Sequence, residues 1–437
     1  MADANRRRFL GSAAAGSASA LTAFHWSNLA RGSSFLQRPV LGLIGCGGRS
    51  KSLAAGFAGN ADFAWVCDPD QSRSNQLQEQ TGARNTTSDL RRVLDDDNVD
   101  AVVIATPDHW HAPAAILACE AGKHVYVEKP CSHNFRESQL LVAAARRHGV
   151  TIQHGTQSRS SRMIAGAIQL LRDGVIGDVL FAKAWNIQRR RNIGRAKPGA
   201  PPPNVDYDTW VGPAEMMPFQ SNRFHYDWHW WHNFGTGDIG NDGTHELDIA
   251  RWGLGVTGVP STVSAVGGKY YFDDDQEFPD TATCIFEWPG NDAAMQRRQL
   301  VFEMRIWSRS MPYNCDTGIE FHGTRGMLFV SKRGKLEIRD DANHLMPAPE
   351  PAKQISVAAN HQVDFLESFA NGTTPSADIQ TAHESVALVH LANASLRAGA
   401  TLSIDPESES IKGNPKAARL LGRSYRQEGH WGVPQLT

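Results

Sequence analysis

The sequence predicts an α/β chain of two domains, a doubly wound parallel sheet followed by an α/β domain built on an antiparallel sheet. Three observations predict it. At 437 residues the chain is too long for one ordinary hydrophobic core. From Val40 to about Gly149, short apolar runs alternate with helical stretches, the rhythm of parallel strands joined by crossover helices. Beyond about residue 160, strand-like runs separated by polar turns take over.

Residues 1–36 stand apart from this pattern. Asn5-Arg6-Arg7-Arg8-Phe9-Leu10 leads into a weakly apolar stretch ending at Phe24, the basic-then-apolar order of a twin-arginine export signal; a disordered basic N-terminus is the other reading. A signal predicts export, to a periplasm, of a protein already folded around its cofactor.

The first domain is expected over 37–158. Val40 to Gly45 reads as a buried strand, about Ser50 to Gly59 as a helix and Phe63 to Cys67 as the next strand. Val99 to Thr106 is a third apolar run. Ala112 to Ala121 and Glu137 to Arg147 read as helices stopped by Gly122 and Gly149, with His124 to Val127 a strand between them.

The second domain is expected over 159–437. Met163 to Arg172 reads as a helix and Val179 to Ile187 as a strand. Residues 188–204 form a basic, proline-rich excursion that edges the active site, embraces a neighbouring subunit or is a solvated loop. Thr262 to Tyr271, Thr281 to Trp288, Leu300 to Trp307, Thr317 to Gly323 and Met327 to Ser331 read as strands, and helices from His361 to Ala370 and Thr381 to Ala398 follow.

Composition narrows the function. Hydrophobic residues make up 41% and charged residues 21%, values of a folded globular chain. A formal net charge of −2, with no long basic run, lacks the footprint of a nucleic-acid binder. Beyond the leader no apolar run reaches the ~18 residues of a membrane helix, so no membrane is expected for the mature form. The six cysteines show no C-x-x-C pair and no zinc-like spacing, so free, mostly buried thiols and no metal are expected.

The glycine turn Gly45-Cys46-Gly47-Gly48-Arg49-Ser50 closes the first strand and opens the first helix. Glycine is needed where the backbone turns sharply and where a pyrophosphate approaches peptide N–H groups at a helix's positive end. Ser50 takes the place of the usual third glycine, which loosens helix-to-strand packing slightly. Asp68 lies about 20 residues beyond Gly48, directly after the second strand, where a carboxylate accepts from ribose hydroxyls and repels a ribose phosphate. NAD is therefore expected over NADP. After the third strand, Thr106, Pro107 and His111 of ATPDHWH fall at the carboxyl edge of the sheet, facing the cofactor; for His111 alone, a helix-capping role is equally open.

Val125-Tyr126-Val127-Glu128-Lys129-Pro130 puts a cation at a strand end. With the glycine turn, ATPDHWH and GNDGTHELDIARW, it resembles the Glu-Lys-Pro signature of the glucose-fructose oxidoreductase / inositol dehydrogenase family, from about Val40 to the C-terminus. The resemblance implies an N-terminal Rossmann domain, a C-terminal domain with a large open antiparallel sheet, and a sugar or polyol bound between them beside the nicotinamide. It implies that Lys129 is the catalytic, substrate-contacting lysine, with Glu128 beside it at the cofactor, and that His245 is the general acid/base. Imidazole suits that work, since its ordinary pKa is near neutrality. Many members carry aspartate four residues before the histidine; here Asn241 stands there, able to orient a ring but not to charge it, so His245 should be a weaker base. Asp242 either substitutes for the aspartate or caps the helix.

Residues 222–232, NRFHYDWHWWH, are rich in rings that suit a sugar's C–H face, or that pack a core. Arg223, His225 and Trp230, with Gln157 and Arg159 at the domain junction, are the weaker candidates for substrate contact. Three functions compete: NAD-dependent hydride transfer at a sugar or cyclitol carbon; redox-neutral glycoside cleavage through transient sugar oxidation on a bound cofactor; and non-catalytic ligand binding. An open sheet face predicts a homo-oligomer.

Overall fold

The computed structural model describes residues 38–290, 297–350 and 360–426, and the predicted leader lies outside them. The first sheet has six parallel strands, β1 (Val40–Ile44), β2 (Asp62–Cys67), β3 (Asn85–Thr87), β4 (Ala101–Ile104), β5 (His124–Val127) and β6 (Ile152–His154), in the order β3-β2-β1-β4-β5-β6. Helices cover both faces, so the central strands read as unbroken apolar runs; Leu41, Leu43, Val102, Val103 and Val125 are fully buried. The order reverses between β1 and β4, which opens a crevice at their carboxyl ends.

Several elements differ from expectation for identifiable reasons. The helix expected from Ala112 runs from Asp108 to Glu120, with Pro113 inside it rather than at its start. Pro113 has no N–H for the carbonyl of His109, four residues earlier. That carbonyl instead accepts from Arg423 Nη2 at 2.7 Å, near the far end of the chain. The helix Gln71–Thr81 leaves no apolar periodicity in the sequence because it buries only Ser74 and Leu77; its start is held by Asp70, whose side chain accepts from the N–H groups of Ser72 and Arg73. Strands β3 and β6, of three residues each, are too short to leave a pattern.

The second sheet has ten strands: β7 (Val179–Asn186), β8 (Thr262–Gly268), β9 (Thr281–Trp288), β10 (Arg298–Arg305), β11 (Thr317–Gly323), β12 (Gly326–Ser331), β13 (Lys335–Asp340), β14 (Leu345–Met346), β15 (Leu402–Asp405) and β16 (Ser410–Lys412). Their order is β14-β13-β12-β11-β7-β10-β9-β8-β15-β16. The expected antiparallel sheet is in fact mixed, since β7 and β10 pair in parallel. No hairpin joins those two strands. A long connection with helices and two other strands separates them, as parallel neighbours require.

Helices Arg162–Arg172, Gly243–Leu254 and Ile379–Ala398 share one core with this sheet. Gly253 brings the middle helix against β11, where a Cβ would stand 2.3 Å from the Phe321 ring. Along β9, Ala282, Cys284, Phe286 and Trp288 point inward, while Ile285 and, on β8, Val266 are exposed on the opposite face. The late helix His361–Asn371 returns to the first sheet, placing Phe365 edge-on to Phe57 and Tyr126. Residues 188–204 have no regular structure, and their end is tied to the first domain, where Gln71 N–H donates to the Asn204 carbonyl at 3.1 Å. All six cysteines are buried and unpaired. Among the described residues no helix is long and apolar enough to cross a membrane.

Candidate active site

A cavity of about 440 Å³ occupies the crevice beyond β1 and β4. Its floor begins at the glycine turn. Gly45, at φ 87°, lies so close to β4 that a Cβ would meet the Ala105 carbonyl oxygen at 2.6 Å, and only glycine fits. Gly47 precedes the helix Gly48–Phe57 without any side-chain cap, and nothing lies within 4 Å of where a Cβ on Gly48 would stand. The helix's first N–H groups, with space beside them, form a cradle for an anion. Ser50 is fully buried, so the small third residue serves packing.

Asp68 lines the same cavity. Its carboxylate accepts from the N–H groups of Cys46 at 2.6 Å and Asp70 at 2.8 Å, which pin it at the strand end. Burial raises its pKa, opposed by those two amides. Thr106 and Pro107 line the cavity. His111 lines it too, and its ring spans two turns: Nδ1 lies 2.6 Å from the Pro130 carbonyl and Nε2 2.9 Å from that of Thr106. The residue thus joins the turn after β4 to the turn after β5.

At the other end stands Lys129, joined by a cis peptide bond to Pro130. Its ammonium donates to the main-chain oxygen of Asn241 at 2.5 Å and to its side-chain oxygen at 3.0 Å. Burial pulls its pKa below the ordinary lysine value, against the carboxylates of Glu128 and Asp108. Glu128 is buried, yet its pKa is lowered, chiefly by Arg49, whose Nε donates to it at 2.8 Å. Gln157 donates to the same carboxylate at 2.9 Å, so it supports Glu128 and is not part of the cavity wall. Asp108, which accepts from Thr236 Oγ1 at 2.6 Å, is pushed up to about 7 by burial.

Asn241 does not orient His245. Its side-chain oxygen is taken by Lys129 and its nitrogen donates to Asp238 at 3.0 Å. Asp242 holds the N-cap position of the helix Gly243–Leu254, where its carbonyl accepts from the His245 N–H at 3.1 Å, but its carboxylate makes no capping hydrogen bond and pairs with Arg190 instead. The imidazole of His245 begins the helix Gly243–Leu254 but is not part of the cavity wall, and its Nδ1 is buried without a partner. Burial, then the cations Lys332 and Lys129, hold its pKa well below the ordinary value.

The weaker candidates divide. His225 reaches the cavity and its Nε2 lies 3.0 Å from Asp70, beside Arg73. Arg159 is withdrawn into a bidentate pair with buried Asp248. Arg223 stacks on Trp231, 4.0 Å from the ring centroid, and donates to the Pro218 carbonyl. Trp230 is core, 1% exposed. None of the last three lines the cavity. Tyr226, Trp228 and His229 of the same segment do, together with Trp110 and Trp210, which were not singled out. The aromatic richness marked the segment, but which rings face inward depends on its two short 3-10 turns, Ser221–Arg223 and Asp227–Trp230.

A family model described as an oxidoreductase family with an NAD-binding Rossmann fold matches residues 40–156, and that of the family's C-terminal α/β domain matches residues 184–284. The chain belongs to the Gfo/Idh/MocA oxidoreductase family. Levoglucosan dehydrogenase of Pseudarthrobacter phenanthrenivorans is 28% identical over 241 residues, 53% of this chain and 54% of that protein. The 2,7-anhydro-N-acetylneuraminate hydratase of Escherichia coli (strain K12) is 25% identical over 261 residues, 56% of this chain and 60% of that protein. These matches thus span little more than half of either relative. Among solved structures, the WlbA dehydrogenase of Bordetella pertussis, in complex with NADH and UDP-GlcNAcA, shares the fold with a TM-score of 0.64 at 20% identity, over 84% of this chain and 99% of that one.

Proposed function

We propose that the protein is an NAD-dependent oxidoreductase that transfers a hydride to or from a sugar or cyclitol carbon. One observation carries the reading: a half-buried ammonium, Lys129, shares a cavity with an uncapped glycine-rich helix start and a strand-end carboxylate, Asp68. The residues fit NAD. Gly47, Gly48 and the helix's free N–H groups would hold the pyrophosphate, with Arg49 and Arg73 lining the same space, and Asp68 would accept from ribose hydroxyls. When bound, the nicotinamide supplies a hydride acceptor or donor. The chain's own part is to polarise the reacting oxygen with Lys129 and to exclude water with Tyr226, Trp228 and Trp110.

The relative named as a hydratase supports a second reading, in which sugar oxidation is transient and the same cofactor takes back the hydride. Residues 37–158 would form the NAD-binding part and 159–437 the substrate-binding and oligomerisation part. Export by the twin-arginine route to a periplasm, read from Arg6-Arg7-Arg8-Phe9-Leu10, favours a retained cofactor. The open face of the second sheet, with Val266 71% exposed, favours association with a second copy.

The test begins with denaturing the purified protein and identifying the released nucleotide; NAD is expected. A panel of sugars, cyclitols and anhydro sugars should then yield reduced nicotinamide. Product formed without net reduction selects the second reading. A protein that neither releases nor binds NAD overturns both.

A further inference from the structure

The side chain of Asn241 ends in an amide, whose oxygen accepts and whose nitrogen donates, and a half-turn about its last bond exchanges the two at little steric cost. Lys129 needs the oxygen, which lies 3.0 Å from its Nζ. The reversed amide would set donor against donor. What fixes the choice is Asp238, three residues earlier on the helix Gly237–Asn241, whose Oδ1 accepts from Asn241 Nδ2 at 3.0 Å. A carboxylate only accepts, so the nitrogen is held on its side and the oxygen on the side of the lysine.

Asp238 is itself held from two further directions. Its side chain is wholly withdrawn from solvent, and Asn186 at the end of β7 donates to its Oδ2 through Nδ2 at 2.9 Å. That second amide is fixed in turn, because its own oxygen accepts from the Gln188 N–H at 3.2 Å. Arg190 closes the set, with Nε and Nη2 each 3.1 Å from Oδ1 of Asp238, and its other partner is the Asp242 carboxylate. Arg190 lies near the start of the basic, proline-rich excursion of residues 188–204, which is thereby tied to the catalytic lysine through two side chains.

We infer that Asp238 is a positioning residue, which through Asn241 keeps an acceptor turned toward Lys129 and holds a negative charge one side chain away from the ammonium. The role rests on the hydride-transfer reading above, in which that ammonium polarises the reacting oxygen. Asp238 supplies, from one helical turn earlier, the carboxylate that many family members carry at the position of Asn241. The other charged groups facing the ammonium are Glu128 and Asp108, which favour its charge, and Arg49, which opposes it. Burial holds the imidazoles of His111, His229 and His245 below their ordinary pKa, so these neighbours of the ammonium are uncharged in the alkaline range.

The test uses Asp238→Asn and the exchange of the two side chains, Asp238→Asn with Asn241→Asp. In the single variant the new amide presents its hydrogens to Asn241, whose own amide turns over and points hydrogens at the lysine. With the KM for NAD within about threefold, kcat should fall about 10-fold to 10²-fold. The Lys129 pKa, read from carbon NMR of its ε-carbon and assigned by the signal's loss in Lys129→Ala, should drop by about 0.5 to 1 pH unit, and the alkaline limb of kcat/KM should move down with it. The exchange returns a carboxylate to the lysine, held by the new amide, so kcat should recover to within about fivefold and the lysine pKa to at least its original value. A merely structural role predicts the reverse order, two substitutions costing more than one. A lysine pKa unchanged to within about 0.2 in Asp238→Asn, or an exchange variant slower than the single one, overturns the assignment. If Asp238→Asn does not fold, the exchange variant decides: its failure to fold, or a lysine pKa below that of the unmodified protein, overturns the assignment. The NMR titration needs no substrate, so it judges the link from Asp238 to Lys129 even where absence of any turnover across the substrate panel overturns the hydride-transfer reading.

Discussion

Lys129 and Asn241 are joined twice, through the main-chain oxygen at 2.5 Å and the side-chain oxygen at 3.0 Å. The position where many family members place an aspartate beside the histidine here serves to aim the lysine. Lys129→Ala should lower kcat about 10²-fold to 10³-fold with NAD binding and melting unchanged, because it removes the group that stabilises charge on the reacting oxygen. Asn241→Ala should cost roughly 10-fold to 10²-fold through misplacement of the ammonium. Asn241→Asp should raise the lysine's pKa, since a negative neighbour favours its charged form, and so move the alkaline limb of kcat/KM upward. Steady-state kinetics across pH checks all three.

Asp68 is pinned by two backbone N–H groups while it faces the cavity. Asp68→Ala should weaken NAD binding roughly 10-fold to 10²-fold, the range of a lost hydrogen bond to a charged group, and relax discrimination against NADP. Titration calorimetry with both dinucleotides measures this. An unchanged preference would show that the ribose assignment is wrong.

Asp70 and His225 tie the second domain's aromatic segment to the first domain at the Asp68 end of the cavity, with Asn204 Nδ2 donating to the same carboxylate at 3.1 Å. His225→Ala should speed NAD release about 3-fold to 10-fold, the worth of one ordinary hydrogen bond, and spare the helix cap that Asp70 provides. Stopped-flow displacement of bound NADH reads the rate directly.

Arg159 and Asp248 form a buried pair, with Ser385 Oγ donating to the same carboxylate at 2.7 Å. Burial opposes the charged form of Asp248, but Arg159 brings its pKa below the ordinary value. Arg159→Ala leaves that charge unpaired and should destabilise the fold by about 3–5 kcal/mol. At temperatures where the variant is folded, substrate KM should be unchanged, which separates this role from substrate contact. Denaturant unfolding and kinetics on one preparation decide it.

His109, His154 and His390 are buried, and burial holds each pKa down to about 3. In the unfolded chain they take up protons below about 6.5. The unfolded state therefore binds more protons than the native one between about pH 6.5 and pH 3, and stability falls as pH falls through that window. Each ring contributes at most about 1.4 kcal/mol per pH unit there. Melting temperature should thus drop steeply from pH 6 to pH 4; a flat profile would mean that these rings bind protons in the folded protein.

Local chemistry carried much of this protein in its sequence. The parallel strands were legible because helices bury both faces and leave unbroken apolar runs such as Val40–Ile44, and Gly45, Gly47, Gly48 and Asp68 were legible because close backbone approach and ribose recognition demand those residue types at that spacing. Glu-Lys-Pro located the cation by the same logic. What tertiary structure alone decided is which side chains meet: that Asn241 serves Lys129, that His229 faces the cavity while Trp230 is buried, and that Arg159 and Arg223 turn away. These outcomes depend on partners distant in the chain, such as Asp248 for Arg159 and Arg423 for the carbonyl freed by Pro113, and no local pattern records such pairings.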